Sequence, residues 1–125
     1  MTKKKILVVD DKPSDTRLVK LYLEQSGPYT VREENDARLA LAAAVELRPH
    51  LILLDIRMPG MDGGELATQI RANPQLAGVP IVFLTALVTK AELEGRAGKI
   101  HATPMLAKPI ILKDLLACLQ QQLGA

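Results

Sequence analysis

The chain has 125 residues, a length that suits one domain, and a single domain over residues 1–125 is expected. Its 48% hydrophobic and 24% charged content excludes a disordered chain, and no apolar run approaches the roughly 18 residues that cross a bilayer, so no membrane insertion is expected. A net charge of +2 and only Tyr22, Tyr29 and Phe83 as aromatics argue against direct nucleic-acid binding, which needs a basic stripe or rings for stacking. The single Cys118 cannot close an internal disulfide, and MTKKK runs straight into Ile6-Leu7-Val8-Val9, unlike a secretory leader, so a cytoplasmic location is expected.

Short β-rich apolar runs alternate with segments of helical period, the mark of a parallel α/β sheet. KILVVD, Lys5 to Asp10, predicts the first strand. Ser14 then caps a helix whose Leu18, Leu21 and Tyr22 share a face and which ends near Gly27-Pro28. Tyr29 to Glu34 alternates only partly and ends in charges, which suits an edge strand. Asn35 or Asp36 can cap the Ala-rich helix ARLALAAAVEL, and Pro49 stops it. His50 to Asp55 predicts the third strand, followed by the turn RMPGMDG and a helix from about Gly64 to Asn73. Pro80 to Thr85 is the fourth strand, a short helix near Lys90 to Ala97 follows, and Pro104 to Ala107 is the fifth. Leu112 to Leu123 closes the chain as an amphipathic helix.

Four of these strands end on, or just before, polar residues: Asp10-Asp11, Asp55, Thr85 and Lys108. In a parallel sheet the C-terminal strand ends lie along one edge, so these residues should converge there, where open α/β folds bind ligands. One such residue is most simply a helix cap; four together point to a site. Three carboxylates held close cannot all ionise without a cation, and oxygen-only ligands suit a hard one, Mg²⁺ or Mn²⁺. His50 and His101 have no partner at zinc-ligand spacing. Lys108 and Thr85 would add an ammonium and a hydroxyl, a set that fits a phosphoryl group carried on a carboxylate nucleophile. Asp55 is the candidate nucleophile because it stands alone on the central strand, whereas the Asp10-Asp11 pair is better placed to hold metal.

DD after strand 1, LLDIRMPGMDG around strand 3, IVFLTA at strand 4 and AKPI after strand 5 resemble the response-regulator receiver (CheY-like) domains of two-component signalling. The resemblance runs through nearly the whole chain, with all four motifs in order. It implies a flavodoxin-like, doubly wound α/β fold, a five-stranded parallel sheet of order 2-1-3-4-5 with five helices. It further implies that Asp55 accepts a phosphoryl group from a histidine kinase or phosphotransfer protein. Asp11, Asp55 and the backbone carbonyl of Arg57 would coordinate Mg²⁺, with Asp10 acting mainly through water. Thr85 would bind a phosphoryl oxygen, Lys108 would pair with the phosphate, and Lys108-Pro109 would be cis. Such a chain is a phosphoacceptor that assists its own phosphorylation and dephosphorylation, not an enzyme. A downstream protein partner would bind the surface of the fourth helix, fifth strand and last helix.

Two features depart from the family pattern. Met105 stands where receivers usually place a ring that turns inward as the Thr moves, and GKIHATPMLAKP replaces a GADDY-like stretch. Arg57 and Leu87, two residues beyond the acceptor Asp and the Thr, would border the approach of hydrolytic water. A haloacid-dehalogenase-type phosphatase expects D-x-D after its nucleophile strand, which neither Asp55 nor Asp10 begins. Gly98-Lys99 lacks the remainder of a phosphate-binding loop. A phosphorylation-independent interaction module with this fold, or a receiver excised from a longer regulator or hybrid kinase, are the alternatives.

Overall fold

The structure, a computed structural model, describes residues 3–86, 99–100 and 103–124. Strand β1 (Lys4–Val9) leads into α1 (Pro13–Ser26), β2 (Tyr29–Glu34), a 3-10 turn (Ala37–Leu39) and α2 (Ala40–Leu47). Strand β3 (Leu51–Asp55) is followed by a two-residue hairpin, β4 (Arg57–Met58) with β5 (Met61–Asp62), and by α3 (Gly63–Ala72). Then come β6 (Ile81–Thr85), the short β7 (Lys99–Ile100), β8 (Thr103–Ala107) and α4 (Leu112–Leu123). The expected helix near Lys90 to Ala97, together with Leu87 and His101, lies outside the described residues.

The five long strands are parallel in the order β2-β1-β3-β6-β8, the 2-1-3-4-5 order expected of the five predicted strands. Strand β2 is the edge its partial alternation predicted, and β7 pairs antiparallel with β8 at the other. Strands β1, β3 and β6 are continuous apolar runs because helices cover both faces of the sheet. Leu7, Val9, Ile52, Leu54, Ile81 and Phe83 pack on the α2 and α3 side, with Leu66 and Ile70. Ile6, Val8, Leu51, Leu53, Val82 and Leu84 pack on the opposite side, with Val19 and Leu23 of α1 and Leu115 and Leu119 of α4. No helix among the described residues is long and apolar enough to cross a membrane.

Local starts differ from the expected ones where backbone chemistry decides. Helix α1 begins at Pro13, with Lys12 as an N-cap that offers no side-chain hydrogen bond, so Ser14 is inside the helix and caps nothing. Proline lacks the N–H that a cap would satisfy and its φ is already helical, which favours it as the first helical residue. Asp36, not Asn35, caps the turn ahead of α2 by accepting from the Arg38 N–H at 2.9 Å. Asp62 caps α3 through the Gly64 N–H at 2.6 Å. His50 is a structural strand-entrance residue: its Nδ1 accepts the Lys5 N–H at 2.9 Å and its own N–H donates to the Lys5 carbonyl at 2.7 Å.

Candidate functional site

Period-two alternation carries Asp10 and Asp55 toward the same side of the sheet, the side covered by α1 and α4. Asp11 points away from that parity, yet one carboxylate oxygen from each of Asp10, Asp11 and Asp55 lies within 4.8 Å of the others. Asp10 and Asp55 are buried, and Asp11 is half-buried. A Cβ on Gly63 would collide with the Asp55 carbonyl oxygen and lie 2.8 Å from the Ile56 Cα, so only glycine lets α3 start this close to the Asp55 backbone. The Gly63 N–H donates to the Ile56 carbonyl at 2.7 Å, which ties the end of β3 to the start of α3.

Lys108 reaches the cluster from just beyond β8, immediately before the cis Lys108-Pro109 bond. Its backbone N–H is anchored on the Thr85 carbonyl at 2.8 Å. The ammonium donates to Asp10 Oδ2 at 2.5 Å and to Asp15 Oδ2 at 3.0 Å, and lies 3.6 Å from Asp55 Oδ2. Asp10 Oδ1 accepts the Lys12 N–H at 3.0 Å, and Asn35 Nδ2 donates to the Asp10 carbonyl at 2.8 Å and to Thr16 Oγ1 at 3.0 Å. Thr16 Oγ1 donates in turn to Glu33 Oε1 at 2.8 Å, so the acidic loop is braced on α1 and β2. Thr85 is buried at the end of β6, and Met105 is buried opposite Phe83. Lys12, Asp55, Arg57, Thr85, Ala86 and Lys108 line a small cleft of about 150 Å³.

The electrostatics are those of a crowded, partly dry carboxylate group. Burial, then the charges of Asp10 and Asp11, push the Asp55 carboxyl up to about 6 against the pull of Lys108 and the Arg57 backbone N–H. Burial also raises Asp10, with the Lys108 and Lys12 hydrogen bonds opposing. Burial works against the Lys108 ammonium, but its hydrogen bonds to Asp10 and Asp15 outweigh that and the net direction is up. A hard divalent cation fits this donor set: three oxygens converge, and two of the carboxyls are pushed toward the neutral form without one.

The structure thus brings together Asp10, Asp11, Asp55, Thr85 and Lys108, as the strand ends predicted. Sequence reasoning missed Asp15 and Asn35. Asp15 looks like an ordinary acidic residue in a helix's first turn and Asn35 like a helix cap; only the tertiary pairing shows that the first holds Lys108 and the second holds the Asp10 backbone.

The family model for the response regulator receiver domain matches residues 6–120. The chain is 37% identical over 121 residues to the DNA-binding response regulator MtrA of Mycolicibacterium smegmatis, covering 97% of this chain but 51% of MtrA, so it spans about half the length of that relative. Among solved structures it resembles the chemotaxis protein CheY4 of Vibrio cholerae, with a TM-score of 0.81 and 36% identity over 96% of this chain and 98% of that one. It also resembles the receiver domain of a Pseudomonas aeruginosa sensor histidine kinase that has a magnesium ion coordinated in its active site cleft. There the TM-score is 0.82 and the identity 30%, over 99% of this chain and 100% of that one.

Proposed function

The chain belongs to the response regulator receiver domain family, and from that premise we propose that it is a phosphorylation-dependent switch with Asp55 as the phosphoacceptor. The observation that carries this reading is the convergence of Asp10, Asp11 and Asp55 within 4.8 Å, with the Lys108 ammonium 3.6 Å from Asp55. Mg²⁺ held by these carboxylates, with the Arg57 carbonyl as a further ligand, would offset negative charge on the phosphoryl oxygens; Mn²⁺ would serve equally. Asp55, ionised above a pH of about 6, is the attacking oxygen. A new O–P bond forms on it while the N–P bond of a phosphohistidine donor breaks. Lys108 supplies positive charge to the transferred group, and Thr85 offers its hydroxyl to a phosphoryl oxygen.

The donor would be a histidine kinase or phosphotransfer protein, and the chain would act as a phosphoacceptor assisting its own phosphorylation and dephosphorylation, not as an enzyme with a separate product. A cytoplasmic location, no direct binding of nucleic acid, and a downstream protein partner on the surface of the expected helix near Lys90 to Ala97, β8 and α4 complete the reading. Incubation with Mg²⁺ and acetyl phosphate should add one phosphoryl group by intact mass, and Asp55→Asn or a chelator should abolish the addition. An undiminished mass shift in Asp55→Asn would reject the assignment.

A further inference from the structure

We propose that Asp15 is a positioning residue that holds the Lys108 ammonium back from Asp55 in the unphosphorylated domain and must release it when the phosphoryl group arrives. The inference rests on the reading of Asp55 as phosphoacceptor. Lys108 has three N–H donors, and among the described residues its ammonium donates to Asp10 and Asp15, while Asp55, at 3.6 Å, lies beyond hydrogen-bond distance. A phosphoryl group on Asp55 brings strong, more highly charged oxygen acceptors into the cleft that Lys108 lines, so the ammonium is drawn toward them and away from a present partner.

Which partner it gives up follows from how each is held. Asp10 is fully buried, its other carboxylate oxygen takes the Lys12 N–H, and its backbone is clamped by Asn35. Leaving Asp10 without its ammonium would strand a buried charge. Asp15 is 31% exposed on the first turn of α1, where water and the helix N-terminus can take over its charge at little cost. The backbone of Lys108 is fixed on Thr85, so a change of partner needs only rotation of its side chain. Asp15 also adds a fourth carboxylate beside a site that must accept an anion, and it lies outside the trio able to hold the cation. Its charge therefore opposes phosphoryl binding without supplying a ligand atom to the metal trio.

The test uses the full chain and beryllofluoride, a phosphoryl mimic that seats on a carboxylate, titrated at saturating Mg²⁺ and followed by amide NMR shifts. Asp15→Ala should bind beryllofluoride about three- to five-fold more tightly than the parent, the scale of one partly screened ion pair. The gain should shrink in high salt, and Asp15→Glu, which restores the carboxylate, should return toward the parent. Mg²⁺ affinity measured alone should not rise with it, since Asp15 is a negative charge near the trio, and tighter mimic binding without tighter Mg²⁺ binding is a separation that general loosening of α1 would not produce. In a Lys108→Met background the Asp15 substitution should lose most of its effect on the mimic, because only the direct repulsion of its charge then remains. Equal or weaker beryllofluoride binding in Asp15→Ala, with the parent binding normally, overturns this inference alone. Failure of the parent to bind removes the phosphoacceptor reading and this inference with it. Should Asp15→Ala lose its fold by circular dichroism, the isosteric Asp15→Asn decides by the same comparison.

Discussion

Replacing Asp55 with Asn should stabilise the metal-free domain, because it deletes a charge that folding places in an unfavourable setting. The Asp55 carboxyl sits at about 6 in the folded chain against an ordinary value of 3.8, raised first by burial and then by Asp10. Between those values the native state binds more protons than the unfolded one, so stability falls as pH rises through this window. Below it both states are protonated and the penalty vanishes; above it the penalty is complete. A difference of about two pH units corresponds to about 3 kcal/mol, since each unit is worth about 1.4 kcal/mol. Asn has the shape of the neutral acid and does not titrate. Urea unfolding in the presence of a chelator should therefore show Asp55→Asn about 2–3 kcal/mol more stable than the parent at pH 7, with the gap closing toward pH 4. Mg²⁺ should stabilise the parent by RT ln(1 + [Mg²⁺]/Kd), about 2.7 kcal/mol at one hundred times Kd, and the Asn variant much less. A variant no more stable than the parent at pH 7, or a gap independent of pH, would refute the electrostatic account of the site.

Thr85→Ala should still accept phosphate from acetyl phosphate yet lose much of the amide-shift change on activation, because the hydroxyl supplies the contact that differs between states. Met105→Tyr should enlarge that change, since the thioether buried beside Phe83 has no ring to reorient; equal shift changes in parent and both variants would remove this account. Arg57 is exposed and lines the cleft, where it can cover a phosphoryl group on Asp55, so Arg57→Asn should hasten phosphate loss several-fold, checked by phosphoprotein gel decay. Cys118 is buried against the α4 side of the core, and burial pushes its thiol up to about 11. It should resist iodoacetamide at pH 8 in the folded state and react once unfolded. Because the folded thiol holds its proton longer than the unfolded one, it should also cost stability as pH climbs from about 9 toward 11, a loss absent in Cys118→Ala.

The amino-acid order by itself determined the alternation of strand and helix and the set of strand-end residues. Continuous runs such as LILLD are stable only between two covered faces, and that requirement forces a parallel sheet whose polar termini share an edge. Asp10, Asp11, Asp55, Thr85 and Lys108 were legible for this reason, as was the edge position of β2 from its broken alternation. Other features depend on which groups become neighbours across the fold, and no local period encodes that. Lys108 and Asp10 are 98 residues apart, and Lys108 and Asp15 are 93 apart. Asp15 and Asn35 carry the ordinary chemistry of helix starts and turns, so their short-range patterns match a cap as well as a clamp. The hairpin within RMPGMDG and the start of α1 at Pro13 likewise turn on backbone geometry that propensity states only loosely. Tertiary packing decided these, because a hydrogen bond to a buried Asp10 carbonyl or to the Lys108 ammonium is worth more in the dry interior than the same donor or acceptor facing water.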